Sequence, residues 1–173
     1  MRRRGEGVDP KLWAAARSVS RRLTLEHIPH ALIGGLAVSH YGYPRATRDV
    51  DLLVSPEAMA TLTGRPTTIG FTDLEGDVEI DYMITDEWEP FLESAIEAAK
   101  IGSEQVPVIP LGALVYLKLA SPRRKDRQDV IELIRGGIRV AEVKKYLERE
   151  IVEDPDSDIL AEFELCVREA DEP

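Results

Sequence analysis

The sequence lacks the features that mark several common classes of protein. It contains a single cysteine, Cys166, which excludes an internal disulfide framework and a multi-cysteine zinc site. No apolar run approaches the roughly 18 residues that a membrane-spanning helix needs. The basic N-terminal stretch "MRRRGEG" is not followed by a hydrophobic segment and therefore does not match a signal peptide. We expect a cytoplasmic protein without membrane association, with Cys166 packed in a core.

Positive charge is also scarce. The 173 residues include 22 Lys and Arg against 32 Asp and Glu, for a formal net charge of −10. This balance argues against a broad nucleic-acid-binding surface, although a local basic patch is compatible with it. The hydrophobic content of 43% is enough to fill a core. The composition therefore predicts a folded chain of one domain, or of one domain with a small appendage.

Strand and helix patterns are mixed in the first two thirds of the chain, and the last third is helical. Asp9 and Pro10 are typical of the start of a helix. Short strands are predicted at "ALIGG" and "DVDLLV", and a hairpin is predicted to turn near Glu75, with a second strand over 78–84. A helix is predicted over about 86–99. The segment "VPVIP" is predicted to be a short strand or an edge segment, because proline cannot take a central ladder position.

These patterns predict an α+β fold in two parts. Residues 1–110 would form the core that carries the strands. Residues 111–173, read as a series of helices, would pack on that core. The two histidines that flank Pro29, His27 and His30, have no spacing suited to a metal site and are predicted to be surface residues.

Three aspartates lie on two of the predicted strands. Asp49 and Asp51 alternate with apolar residues and therefore point to one face, and Asp81 occupies a similar position on a later strand. If the two strands are neighbours, the three carboxylates converge and form a site for a hard cation such as Mg²⁺. A bare Asp-x-Asp pair is by itself more often a solvated edge or a turn cap. A pair of glycines that precedes the first of these strands favours the metal site.

Gly34 and Gly35 stand between a predicted strand and a helix. Glycines at such a turn let a phosphate approach the backbone, and the N-terminus of the helix supplies free N–H donors. A tight turn would explain two glycines equally well. Their combination with Asp-x-Asp and with a further strand aspartate is much more specific.

The residues Gly34-Gly35, Asp49-Val50-Asp51 and Asp81 resemble the polymerase-beta-like nucleotidyltransferase superfamily. The wording "GGLAVSHYGYPRATRDVDLLV" is most similar to the branch of AbiEii-type toxins and related small nucleotidyltransferases. That branch also carries a lysine on a later helix and then a basic-Lys-Asp-x-x-Asp stretch. Here "LVYLKLASPRRKDRQDVIEL" supplies Lys118 and the two aspartates Asp126 and Asp129. The resemblance covers about residues 30 to 135.

The resemblance implies a palm-like mixed sheet flanked by helices, with a helical C-terminal third. It also implies a Mg²⁺-dependent enzyme that transfers a nucleoside monophosphate from an NTP, ATP among them, to an acceptor hydroxyl. Asp49, Asp51 and Asp81 would hold the metal, and Asp81 would help to deprotonate the acceptor. Gly34 and Gly35 would receive the triphosphate.

The resemblance also leaves several acceptors and roles open. The acceptor could be the 3′ end of a tRNA or another RNA, a protein or a small hydroxylated molecule. The protein could be the toxin of a toxin–antitoxin pair, with an antitoxin protein as its partner. The alternatives are a non-catalytic module that keeps the fold for binding or as an antitoxin, and an ordinary metal- or phosphate-binding domain with hydrolytic activity.

Two basic residues are candidates for contacts with the triphosphate. Arg45 lies in the loop that leads to the first metal strand and can reach a phosphate. Lys118 is embedded in an apolar helix, where its ammonium group needs a partner. Its head would either extend to solvent or contact phosphate, and Asp126 could orient it.

Overall fold

The computed structural model describes residues 7–85, 90–150 and 158–172, and its secondary structure confirms the α+β fold. The helices are α1 (Pro10–Leu25), α2 (Gly34–His40), α3 (Pro90–Glu97), α4 (Leu111–Ala120), α5 (Arg124–Arg135), α6 (Val140–Glu150) and α7 (Ile159–Asp171). The strands are β1 (His30–Leu32), β2 (Asp49–Val54), β3 (Arg65–Pro66), β4 (Gly70–Glu75), β5 (Val78–Ile84), β6 (Lys100–Ile101) and β7 (Pro107–Val108). A short 3₁₀ helix follows β2 at Pro56–Ala60.

The chain divides into two compact units. One consists of Met1–His40 and Pro44–Pro110 and contains the sheet. The other consists of Tyr41–Tyr43 and Leu111–Pro173 and contains the last four helices.

The sheet of the first unit has seven strands in the order β3-β4-β5-β2-β1-β7-β6. β2 lies near its centre, paired in parallel with β5 and in antiparallel fashion with β1. Both ends of the sheet are strands of 2 residues, β3 and β6. The structure therefore confirms a mixed sheet and gives β2 and β5 the adjacency that the candidate site requires.

Side-chain alternation separates apolar from polar residues in the first part of each central strand, over 49–52 in β2 and 78–82 in β5. Val50, Leu52, Ile80 and Tyr82 are at most 1% exposed. Glu79 and Asp81 alternate with the buried residues of β5, as Asp49 and Asp51 do with those of β2. The apolar face forms the core, which leaves the carboxylates on the opposite face.

The local predictions are confirmed where the structure describes the residues. Asp9 caps α1, since its carboxylate accepts a hydrogen bond from the Lys11 backbone N–H at 2.9 Å. The predicted hairpin is present as β4 and β5, with β5 over the predicted residues. The predicted helix after it is present as α3, and its predicted start at Asp86 lies outside the described residues.

The proline-containing segment "VPVIP" is a short strand but not the edge of the sheet. β7 pairs in parallel with β1 through Leu32 and Val108, and it pairs in antiparallel fashion with β6 on its other side. A strand of only 2 residues can occupy this position because it forms few ladder hydrogen bonds, so the missing N–H of its proline interrupts little of the sheet.

The second unit has its own apolar core among helices α4 to α7, and its helical character confirms the prediction for the C-terminal third. The core residues include Val115, Val130, Leu147 and Phe163. Cys166 is fully buried in this cluster, as predicted, and burial raises the pKa of its thiol to about 11. No helix within the described ranges has the length and apolar character to cross a membrane.

His30 contradicts the prediction that it is a surface residue. Its side chain is only 7% exposed, because β1 lies inside the sheet. Its Nδ1 lies 2.8 Å from the Ile28 carbonyl oxygen, and its Nε2 lies 2.7 Å from Ser20 Oγ. Since a carbonyl only accepts, the neutral ring donates from Nδ1 and accepts the Ser20 hydroxyl at Nε2.

This burial predicts that stability falls in mild acid. Desolvation lowers the pKa of His30 below 6.5, although the hydrogen bond to Ile28 partly opposes the shift. Below pH 6.5 the unfolded chain therefore binds a proton at this position more readily than the folded chain does. Urea unfolding at several values between about pH 7 and pH 5 should show a free energy of unfolding that becomes smaller as the pH is lowered. In His30→Gln this decrease should flatten, whereas replacement of the exposed His27 by Asn should leave it unchanged. An identical decrease in His30→Gln would assign it to other groups.

Candidate active site

Three aspartates converge on the polar face of the two central strands. Asp51 in β2 lies directly opposite Asp81 in β5, and Asp49 lies two residues before Asp51 on the same strand. Each offers a carboxylate oxygen, and these oxygens all lie within 4.8 Å of one another. All three residues are partly exposed, so a ligand can reach them. The predicted convergence of Asp49, Asp51 and Asp81 is confirmed.

This group of carboxylates fits a divalent metal ion. Three negative charges at such distances repel one another, and a bound cation relieves that repulsion. The donors are all oxygens, which hard cations prefer. Asp49, Asp51 and Asp81 could therefore hold a metal ion together.

The glycine turn after β1 lies against the same carboxylates. Gly34 has a φ of +62°, and a Cβ built on it would lie 1.8 Å from Asp51 Oδ2. The Ile33 N–H donates to the Asp51 carbonyl at 3.0 Å and ties the turn to β2. Only glycine allows both this backbone conformation and this close approach. The turn and the aspartates thus form one site.

Arg45 lies beside the second glycine of the turn. A Cβ built on Gly35 would be 3.4 Å from Arg45 Nη2 and 2.7 Å from Thr47 Oγ1. Arg45 Nη1 donates to the Ala46 carbonyl at 3.0 Å, which holds the side chain folded back on its own loop. The structure therefore places the guanidinium group beside the glycine turn, and its contact with phosphate stays a prediction.

Thr47 is a site residue that the sequence analysis missed. Its hydroxyl donates to Asp49 Oδ1 at 2.8 Å and so orients the first carboxylate. The available signal was its spacing: residues two apart in extended chain share a face, so Thr47 precedes Asp49 and Asp51 on the same side.

Lys118 lies in the helical unit, and its surroundings explain its burial. Its side chain is 6% exposed, and its Nζ lies 2.5 Å from Asp126 Oδ1 and 2.8 Å from Asp129 Oδ2. Ser121 and Arg123 donate to the other oxygen of Asp126 at 2.7 and 2.6 Å. Asp126 thus orients Lys118, which was one of the readings that the sequence allowed. The contact of Lys118 with phosphate stays a prediction.

The charge state of this cluster follows from the balance of two effects. Burial alone would raise the pKa of Asp126. The hydrogen bonds from Lys118 and Ser121, with the positive charge of Lys118, outweigh it and hold that pKa below its ordinary value. The carboxylate is therefore ionised in the folded protein at neutral pH, and the cluster is an ion-paired network.

The comparisons with known proteins concern the fold. The sequence matches no protein-family model and no curated protein sequence. An antigenic nucleotidyltransferase-like protein from Paracoccidioides brasiliensis matches in structure with a TM-score of 0.51 and 18% identity, over 88% of this chain and 93% of that chain. ANT(2″)-Ia in complex with adenylyl-2″-tobramycin matches with a TM-score of 0.50 and 18% identity, over 83% of this chain and 95% of that chain. The chain shares the fold of these two structures.

Proposed function

We propose that this protein is a nucleotidyltransferase that transfers a nucleoside monophosphate from an NTP to an acceptor hydroxyl. The observation that carries the proposal is the convergence of Asp49, Asp51 and Asp81 beside the Gly34-Gly35 turn. Carboxylates that can hold a metal, next to backbone that a phosphate can approach, are the two parts that phosphoryl chemistry on a nucleotide needs. The likeness in fold to a nucleotidyltransferase-like protein, and to ANT(2″)-Ia in complex with adenylyl-2″-tobramycin, supports the same function.

The carboxylates would hold Mg²⁺, which suits an all-oxygen donor set and a phosphate substrate. When bound, the metal supplies positive charge that offsets the phosphates and the charge that develops during transfer. Thr47 orients Asp49 through the hydrogen bond from its hydroxyl, so that this ligand is held before the metal arrives.

The remaining residues would bind and orient the reactants. Gly34 and Gly35 would receive the triphosphate at the backbone of the turn. The Arg45 guanidinium, which lies beside Gly35, would add positive charge there. In the transfer, the acceptor oxygen bonds to the α-phosphorus, and the bond from that phosphorus to the pyrophosphate oxygen breaks. Pyrophosphate leaves with the bonding electron pair, and the Asp81 carboxylate accepts the proton of the acceptor hydroxyl.

The acceptor in this proposal is an RNA 3′ end, a protein or a small hydroxylated molecule. The net charge of −10 disfavours an extended RNA contact, which depends on phosphate neutralisation. ANT(2″)-Ia, described in complex with adenylyl-2″-tobramycin, is a precedent within this fold for a nucleotidylated small molecule. The same proposal includes a role as the toxin of a toxin–antitoxin pair. In that role the transfer reaction would modify an RNA or a protein of the cell with a nucleotide.

Calorimetric titration of ATP, GTP, CTP and UTP in the presence of Mg²⁺ tests the proposal. We expect Mg²⁺-dependent binding of at least one nucleotide, and we expect this binding to disappear in Asp49→Ala/Asp51→Ala because the metal ligands are gone. Labelled NTP should then yield pyrophosphate and a labelled acceptor when candidate acceptors are added.

Other outcomes would overturn the proposal. Release of phosphate or nucleotide without a labelled acceptor would indicate a hydrolase. No binding of any nucleotide would favour the alternative of a non-catalytic module that keeps this fold for binding another protein.

A further inference from the structure

Thr72 continues the row of polar residues across the sheet. It lies in β4 directly opposite Asp81, which in turn lies directly opposite Asp51 in β2. Residues in register on neighbouring strands share a face, with Cβ atoms about 4.5–5.5 Å apart across an antiparallel pair. The Thr72 hydroxyl therefore belongs to the face that carries the candidate metal ligands.

The Thr72 hydroxyl is buried but unused by the fold. The residue is 6% exposed, and Oγ1 makes no hydrogen bond within the part of the chain that the structure describes. A buried hydroxyl without a partner is unfavourable, since it gives up its bonds to water. Valine would have nearly the same shape and would suit a buried strand position better. Strand formation and packing thus leave the hydroxyl unexplained.

The neighbour of this hydroxyl is a carboxylate that is also available. Asp81 is partly exposed, and its carboxylate has no hydrogen bond or ion pair with any residue in the described ranges. A threonine hydroxyl has one proton to donate, and an ionised carboxylate only accepts. Thr72 and Asp81 are thus a matching donor and acceptor that have not yet formed a hydrogen bond. Thr47 and Asp49, by contrast, have already formed theirs.

We propose that Thr72 is a positioning residue for Asp81, whose hydroxyl donates to the Asp81 carboxylate when metal and nucleotide are bound. One carboxylate oxygen is then held by the hydroxyl, which fixes the direction in which the other faces the metal and the acceptor. This inference rests on the proposed function for its catalytic part. The orientation of Asp81 as a metal ligand stands apart from transfer and can be measured alone.

The test compares Thr72→Val, Thr72→Ser and a matched control. Thr85 is 2% exposed, and its hydroxyl likewise has no partner within the described ranges, but it follows the end of β5 and lies opposite none of the three aspartates. Thr85→Val therefore makes the same chemical change at another buried position. Each variant is assayed for its affinity for Mn²⁺ by electron paramagnetic resonance, its thermal midpoint, and its kcat and KM with the nucleotide that the wild type uses.

We expect Thr72→Val to bind Mn²⁺ about tenfold more weakly, as replacement of a residue that orients a metal ligand does. Its kcat should fall about tenfold to a hundredfold, the equivalent of one hydrogen bond to a charged group, with KM for the NTP unchanged. The thermal midpoint should stay the same or rise, because an unsatisfied hydroxyl has been removed. Thr72→Ser should recover both metal affinity and turnover, and Thr85→Val should match the wild type in both.

Several results would overturn the inference. Unchanged Mn²⁺ affinity in Thr72→Val would do so whether or not the protein transfers nucleotides. A lowered thermal midpoint that Thr72→Ser does not recover would show a packing role instead. If the wild type transfers nothing while Thr72→Val still weakens Mn²⁺ binding and Thr72→Ser restores it, the positioning role holds and the proposed function fails.

Discussion

Asp51→Asn should abolish nucleotidyl transfer and at the same time stabilise the metal-free protein. Asp51 lies between the glycine turn and Asp81, so its carboxylate is central to the group that would hold the metal. The charge stabilisation that a metal supplies is several kcal/mol, which corresponds to a loss of about a thousandfold in kcat. Without metal, however, the three carboxylates repel one another. Removing one charge should therefore raise the thermal midpoint in chelator while turnover in Mg²⁺ disappears.

Asp73→Asn is the matched control for Asp51→Asn. Asp73 is an exposed residue of β4, and its position in register with Ile80 puts it on the sheet face opposite the metal ligands. The same change of one charge there should alter neither turnover nor the dependence of the thermal midpoint on Mg²⁺. Full activity in Asp51→Asn would refute the assignment of the metal site. Equal changes in midpoint for both variants would trace the stability effect to net charge alone.

Lys118→Met should destabilise the helical unit by about 3–5 kcal/mol, as the loss of one partner from a buried ion pair does. The two carboxylates that Lys118 neutralises are themselves buried, Asp126 at 0% and Asp129 at 2% exposure. Methionine fills the space of the lysine stem but leaves both charges without their ammonium partner. Urea unfolding followed by far-ultraviolet circular dichroism measures the loss, since the helices α4 to α7 dominate that signal.

The triple variant Lys118→Met/Asp126→Asn/Asp129→Asn separates this structural role from the predicted contact with phosphate. It removes all three charges together, so most of the stability should return. A wild-type KM for the NTP in this folded variant would remove Lys118 from the nucleotide site, whereas a raised KM would support its contact with the triphosphate. If Lys118→Met alone unfolds like the wild type, the ion-paired network contributes nothing to stability.

The sequence could predict the sheet residues and the carboxylates because both follow from the strand period. Asp49, Asp51 and Asp81 alternate with buried apolar residues, so their shared face was visible before the strands were paired. The glycine turn was predictable from two adjacent glycines between a strand pattern and a helix pattern. Its contact with Asp51 could be seen only in the structure, because it depends on the pairing of β1 with β2.

What the sequence could not predict depended on long-range packing. His30 was predicted to be exposed because the polar residue gives no sign that β1 lies inside a sheet, between β2 and β7. The sequence offered Asp126 as a partner of Lys118, but neither apolar periodicity nor charge spacing distinguishes an enclosed lysine from one that extends to solvent. Thr47 and Thr72 were missed because threonine is common in and around strands. Only the structure shows that the Thr47 hydroxyl bonds Asp49 and that the Thr72 hydroxyl has no partner within the described residues.

The shortness of the outermost strands has a consequence for the protein in a crowded solution. A long open edge would offer a row of backbone groups on which a second chain could build, the usual route to fibrous aggregates. Here each end of the sheet is a strand of 2 residues with a cationic side chain, Arg65 on one and Lys100 on the other, and Pro66 has no N–H to offer. The longer strands, which carry the carboxylates, are enclosed between neighbours on both sides. The strands that carry the carboxylates are therefore not the strands at which another copy would most readily add to the sheet.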